Sequence, residues 1–236
     1  FKQVENSGQY ILKPQVISYK QLPENEDLTM RLVSMTGMKL PWHGLVKCSD
    51  GSLSYAIKRF DRVGKEKIPM EDFTQLIGAS RDTKYDVPIE KVAEAIEDFC
   101  TFPMVEYLKL YKLILLAFLL GNEDLHLKNL SVVTVNEKVQ LSPVYDFVNS
   151  TIINPHGDDE LALSLGDKKK GFTRKDFVDD FAGKTLFLGK KLAEKELSQL
   201  LAFVPQWKQM IDKSFLSTEL KIKYIHLLAD RAKRLS

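Results

Sequence analysis

A chain of 236 residues, 44% hydrophobic and 28% charged, has the composition of an ordinary soluble globular protein long enough to bury a substantial core. Its formal charge of +2 neither demands a nucleic-acid partner nor excludes a local basic patch. Cys48 and Cys100 are too few for a disulfide framework and point to a reducing cytoplasm, and the longest apolar run, Leu113–Leu120, is too short to span a bilayer.

Gln9–Lys13 reads as a short strand ended by Pro14. Pro23–Glu26 opens a helix with Met30, Leu32, Val33 and Met35 available to pack inward and Gly37 as its stop. Leu45–Cys48 and Leu53–Lys58 flank Ser49-Asp50-Gly51-Ser52, and Asp-Gly between two β-prone runs is a strong hairpin signal. Arg59–Arg62 is then a candidate crossover. Val92–Thr101 and Val105–Gly121 carry apolar residues at helical spacing, the second almost all round, as a central buried helix would. A second hairpin is expected over Leu130–Val135 and Val139–Leu141. Four helices follow, roughly Arg174–Ala182, Lys191–Phe203, Trp207–Lys213 and Thr218–Leu235, with Thr173 and Ser217 as N-caps. No internal repeat or low-complexity tract occurs.

Between the central helix and the second hairpin runs Gly121-Asn122-Glu123-Asp124-Leu125-His126-Leu127-Lys128-Asn129, and Asp146 stands seventeen residues after Asn129. Alone, an Asp or Asn near a helix end is as often a cap or turn residue. Together, an acid five residues before an Asn, followed by a second acid beyond a hairpin, is the arrangement phosphoryl transfer needs. Asp124 would orient the attacking hydroxyl, while Asn129 and Asp146 supply the hard oxygens that magnesium prefers. His126 and Lys128 share the loop and are assigned to the site. Lys13 is placed to neutralise nucleotide phosphates; Glu26 either pairs with it or favours its helix dipole, with equal weight. Lys58, Arg59 and Phe60 form either a linker whose backbone meets an adenine edge or a strand with a charged exit. Lys168–Lys170 reads as a solvated face, with a grip on an acidic or RNA-bound substrate as the minority reading. His43, His156 and His226 receive no role.

At these residues the chain resembles the HipA family of bacterial serine/threonine kinase toxins. Six pieces carry the resemblance in order: Ile11-Leu12-Lys13-Pro14, Glu24-Asn25-Glu26, Ala56–Arg62, Glu71–Gln75 with Lys84-Tyr85, the Gly121–Asn129 loop, and Tyr145-Asp146. The resemblance implies an α+β, two-lobed kinase-like fold, with a small lobe over residues 1–60 and a mostly helical lobe over 61–236. It makes Asp124 the catalytic base and Asn129 and Asp146 the magnesium ligands. Lys13, Lys58, Arg59, Phe60, His126, Lys128, Asn129, Tyr145 and Asp146 become the ATP-binding set. It further implies transfer of the γ-phosphoryl to a protein serine or threonine, with an aminoacyl-tRNA synthetase as target, and antitoxin partners including a DNA-binding repressor. No membrane association or direct nucleic-acid binding is expected.

Two departures accompany it. The family's phosphate loop with its regulatory serine is not found before Lys13, where only Ser7-Gly8 stands. The family's N-terminal subdomain also has no counterpart, as expected of a truncated chain or of a compact HipT-like form completed by a small separate protein. A catalytically silent antitoxin- or repressor-binding module and a small-molecule kinase are the rival readings.

Overall fold

The computed structural model describes residue 4 and residues 8–64, 66–79, 84–85, 87–154 and 157–236. Ser7 and His156 lie outside the described residues. Three antiparallel strands, β1 (Tyr10–Pro14), β2 (His43–Lys47) and β3 (Leu53–Lys58), form a sheet in the order β1-β3-β2, with Lys13 opposite Tyr55. The hairpin joining β2 and β3 turns at Gly51, whose φ of +86° suits glycine, as the Asp-Gly signal implied. Helix α1 (Leu22–Ser34) carries proline in its first turn, packs on β2 and β3, and buries Met30, Leu32 and Val33. Met35 falls just past the helix and is half-buried; Gly37, at φ +78°, ends the turn beyond it.

The stretch after the expected crossover at Arg59–Arg62, to which the sequence assigns no element, carries short elements of its own. A two-residue hairpin, β4 (Arg62–Val63) with β5 (Glu66–Lys67), precedes β6 (Met70–Asp72) and a one-turn helix, α2 (Phe73–Leu76). A capping box closes α2: the Asp72 carboxylate accepts from the Gln75 N–H while the Gln75 side chain accepts from the Asp72 N–H. Strands of two or three residues are too short to show an alternation, so the sequence pattern carries no signal for them.

Helix α3 (Ile89–Phe99) leads into α4 (Pro103–Leu120), whose residues from Leu113 to Leu120 are all buried. Contacts from α3, from the later helices and from the second hairpin surround α4, which explains why it is apolar all round. That hairpin is β7 (Ser131–Val135) and β8 (Lys138–Leu141), and β6 adds alongside β7 to complete a second sheet in the order β6-β7-β8. Beyond it lie a π-helical segment (Asp176–Thr185), α5 (Lys190–Ala202), α6 (Val204–Lys213) and α7 (Thr218–Leu235). Ser217 caps α7 by accepting from the Leu220 N–H. Thr173 does not act as expected: its hydroxyl donates to Asp176 instead of accepting from a backbone N–H. Among the described residues, no helix is long and apolar enough to cross a membrane.

Gly121 ends α4 and aims the loop that follows. Its φ is +75°, and a Cβ there would stand 2.6 Å from Oδ1 of the fully buried Asn149. Gly121→Ala combines left-handed strain with a clash that has no room to relax, so it should lower stability by about 2–4 kcal/mol in urea unfolding.

Candidate active site

β1 and α1 meet at an ion pair. Lys13 Nζ donates to Glu26 Oε1 at 2.7 Å and to Asp146 Oδ1 at 2.5 Å, so one ammonium joins strand, helix and the segment after β8. Asp146 turns back toward Lys13 because its φ is +53°, a left-handed conformation that aspartate tolerates better than most residues. The residue before Glu26 secures the same junction: Asn25 Nδ2 donates to the Asn149 carbonyl at 2.8 Å, and the Asn149 N–H donates back to Asn25 Oδ1 at 3.1 Å. Both asparagines are fully buried. The sequence placed Glu26 in a pair or at a helix dipole with equal weight; the contact with Lys13 is the one observed.

Burial works against the Lys13 charge, but Glu26 and Asp146 outweigh it and hold the ammonium above its ordinary value. Burial pushes the Glu26 carboxyl up to about 7 despite Lys13. Since the native state then holds a proton that the unfolded chain releases at an ordinary carboxylate pH, the Glu26 contribution to stability falls as pH rises through the window ending near 7. Glu26→Gln removes that loss, so its stability relative to the unsubstituted chain should rise from pH 4.5 to pH 8 by at most about 3 kcal/mol in paired denaturant titrations. A difference independent of pH would contradict the raised carboxyl.

The loop after Gly121 is held from below by Leu125 and Leu127, both buried. Its backbone folds on itself around Asp124: the Asp124 carbonyl accepts from the His126 N–H at 2.8 Å and from Asn129 Nδ2 at 2.9 Å, while the Asp124 N–H donates to Asn122 Oδ1 at 3.1 Å. This leaves Asn129 Oδ1 and Asp146 Oδ2 without protein partners among the described residues, two hard oxygens of the kind a small divalent cation takes. No group of three or more His, Cys, Asp or Glu side chains stands ready for a metal among the described residues. The donor set therefore fits an ion completed by phosphate and water, and does not fit a closed protein cage.

His126 is buried, 3.9 Å from Asp124 Oδ1, and its Nε2 stands 2.7 Å from Lys84 Nζ. An ammonium has only protons to give, so Nε2 accepts and the imidazole is neutral, in keeping with burial holding its pKa down. Tyr85, the next residue, donates its hydroxyl to Asp124 Oδ1 at 2.6 Å. The Asp124 and Asp146 side chains remain 49% and 44% exposed, so both carboxylates open on solvent.

Tyr145 donates to the Lys128 carbonyl at 2.8 Å and pairs its hydroxyl with Ser131, and its ring stands 5.3 Å from that of Phe60. Phe60 and Asn129 help to line a mostly apolar cavity of about 530 Å³, while Lys128 and Tyr145 border an adjoining, more open hollow. Neither includes Lys13 or Asp124. That is physically reasonable: phosphates need an open charged cleft and a purine needs an apolar wall. Lys58 ends β3, so Lys58–Phe60 begins as the charged strand exit that is one of its two expected readings. The Lys58 and Arg59 N–H groups already donate to the Trp42 and Gln9 carbonyls, and the Arg59 side chain is held by Asp61. Phe60 is left as the part of the linker with a free face.

Several contributors carry no local signal. Asn25 and Asn149 are 124 residues apart and Tyr85 and Asp124 are 39 apart. Glu123 is another: it meets the buried Arg231 of α7 at 3.1 Å and Thr151 at 2.6 Å, tying the loop to the last helix.

Comparison with known proteins places the chain and its fold. A family model of HipA-like C-terminal domains matches residues 2–207. The chain is 30% identical over 247 aligned positions to a Haemophilus influenzae protein named "Putative kinase", covering 92% of the chain and 71% of that protein. It is 33% identical to "Putative kinase Y4dM" of Sinorhizobium fredii, covering 69% of the chain but 42% of that relative. In fold it superposes on HipA of the Shewanella oneidensis HipA–HipB–operator DNA complex with a TM-score of 0.83, at 21% identity, covering 97% of the chain and 58% of HipA. On the Helicobacter pylori proinflammatory kinase CtkA the TM-score is 0.68, at 18% identity, covering 95% of the chain and 86% of CtkA. The fold is thus the two-lobed, mixed α/β fold of these kinases, and the chain belongs to the HipA-like C-terminal domain family.

Proposed function

We propose that this chain is the catalytic part of an ATP-dependent serine/threonine protein kinase, acting as the toxin of a toxin–antitoxin pair. In this reading residues 1–60 are the small lobe and 61–236 the helical lobe. The observation that carries it is the single Lys13 ammonium shared by Glu26 and Asp146, beside a loop that presents Asp124 and Asn129. Such a junction fixes a cation for the phosphates and a carboxylate for their counter-ion in one stroke.

The proposed step is direct. The acceptor hydroxyl oxygen bonds to the γ-phosphorus as the bridge to the β-phosphate breaks, ADP leaves with the electron pair, and the hydroxyl proton passes to Asp124. Lys13 neutralises phosphate charge, and Phe60 with Tyr145 offers aromatic surface to the base. Asn129 and Asp146 would hold magnesium, which supplies charge neutralisation of the phosphates. Positioning and electrostatics account for most of the rate in such a site.

The finer assignments extend from the relatives. HipA of Shewanella oneidensis was solved with HipB and operator DNA, which supports an antitoxin or repressor partner here. An aminoacyl-tRNA synthetase is the proposed target, and the cytoplasm the proposed compartment. The test is transfer of radiolabelled γ-phosphate to synthetase, to a generic protein and to an aminoglycoside. Label on protein serine or threonine supports the reading, label on the aminoglycoside alone replaces it with a small-molecule kinase, and no transfer replaces it with a silent binding module.

A further inference from the structure

Tyr85 reaches Asp124 from the connection between α2 and α3, outside every element that builds the loop. Its hydroxyl takes Asp124 Oδ1 at 2.6 Å, and Oδ2 has no protein partner among the described residues. The tyrosine is itself held from several sides. Its ring stands edge-on to His126 with centroids 5.0 Å apart, and Lys84 Nζ lies 4.7 Å from the ring centre. Its carbonyl accepts from Lys169 Nζ at 3.1 Å.

We propose that Tyr85 is a positioning residue for phosphoryl transfer, whose hydroxyl locks the Asp124 carboxylate by Oδ1 and leaves Oδ2 for the acceptor hydroxyl. This deepens the kinase reading and rests on it. Asp124 is half exposed, and a carboxylate on a loop open to water has rotamers to choose between. One fixed donor removes that freedom, and a near-attack geometry lost by about 1 Å costs on the order of 10²-fold in rate. A phenol suits the task because it donates without bringing a cation against the base. The nearby cation, Lys84, is instead spent on His126 Nε2 at 2.7 Å, with the neutral imidazole between it and Asp124. The contacts around the ring and backbone mark a fixed strut, where a plug that substrate must push aside would be held loosely.

The experiment compares the unsubstituted chain with Tyr85→Phe, which deletes one oxygen from a partly exposed ring, in steady-state transfer to a protein acceptor. Expected is a kcat lower by roughly 10- to 100-fold with KM for ATP and the melting temperature unchanged, a split that general destabilisation would not give. Equal or faster transfer by Tyr85→Phe overturns the positioning role while leaving the kinase reading intact. Phosphate found on Tyr85 by mass spectrometry also overturns it, since the residue is then an acceptor. If the unsubstituted chain transfers nothing to any acceptor, the kinase reading falls and this inference with it.

Discussion

Asp124→Asn is expected to lower phosphoryl transfer by roughly 10²- to 10⁴-fold while ATP affinity stays close to that of the unsubstituted chain. Asparagine keeps the shape, and its oxygen can still accept from the Tyr85 hydroxyl and leave the backbone contacts to His126 and Asn129 in place. What it cannot do is receive a proton, so the loss falls on kcat. The site predicts this split because Asp124 lies off the Lys13–Glu26–Asp146 junction proposed for the phosphates. Single-turnover transfer measured beside equilibrium ATP binding checks it. Near-normal turnover would remove Asp124 from the role of base, and a matching loss of ATP binding would make it a nucleotide contact. Asp124→Asn also differs from Tyr85→Phe in depth: removing the base should cost far more than removing the group that orients it, and a double variant should be no worse than Asp124→Asn alone.

Local chemistry made much of this legible. Asp50-Gly51 announced the first hairpin and the all-round apolar run up to Leu120 announced the central helix, because each depends on residues adjacent in sequence. The loop from Asp124 to Asn129 was readable for the same reason. The short strands β4 to β6 were not, since a segment of two or three residues takes strand conformation from the partner it pairs with. Nor was the π-helical winding of Asp176–Thr185 within a stretch read as an ordinary helix. Within the site, proximity of Lys13 to Asp146 could be inferred only by resemblance, because 133 residues separate them. The asparagine clasp between Asn25 and Asn149, the Tyr85 strut and the Glu123–Arg231 pair are side-chain contacts across the fold. No spacing rule reaches them. They share a purpose that spacing cannot express: each fixes a backbone segment or a side chain from a distant part of the chain.

The clasp also determines what to expect at Asp146, the second position with a large effect. Asp146→Ala should weaken ATP binding in magnesium by at least about tenfold, and by about as much as Asp146→Asn weakens it if charge is what matters. The substitution removes one proposed metal oxygen and one of the two carboxylates that hold Lys13, leaving the 2.7 Å contact with Glu26. Folding should suffer little, because the side chain is 44% exposed and the flanking segment is pinned by Asn149. Alanine at φ +53° adds strain on the order of 1 kcal/mol that asparagine largely avoids, which makes the pair of variants a control for backbone effects. Without magnesium the order should invert. A free carboxylate repels the triphosphate, so both variants should then bind ATP at least as well as the unsubstituted chain. Calorimetric titrations with and without magnesium read both limbs. Equal affinities in magnesium would deny Asp146 its ligand role, whereas losses that persist without the ion would assign it to holding Lys13.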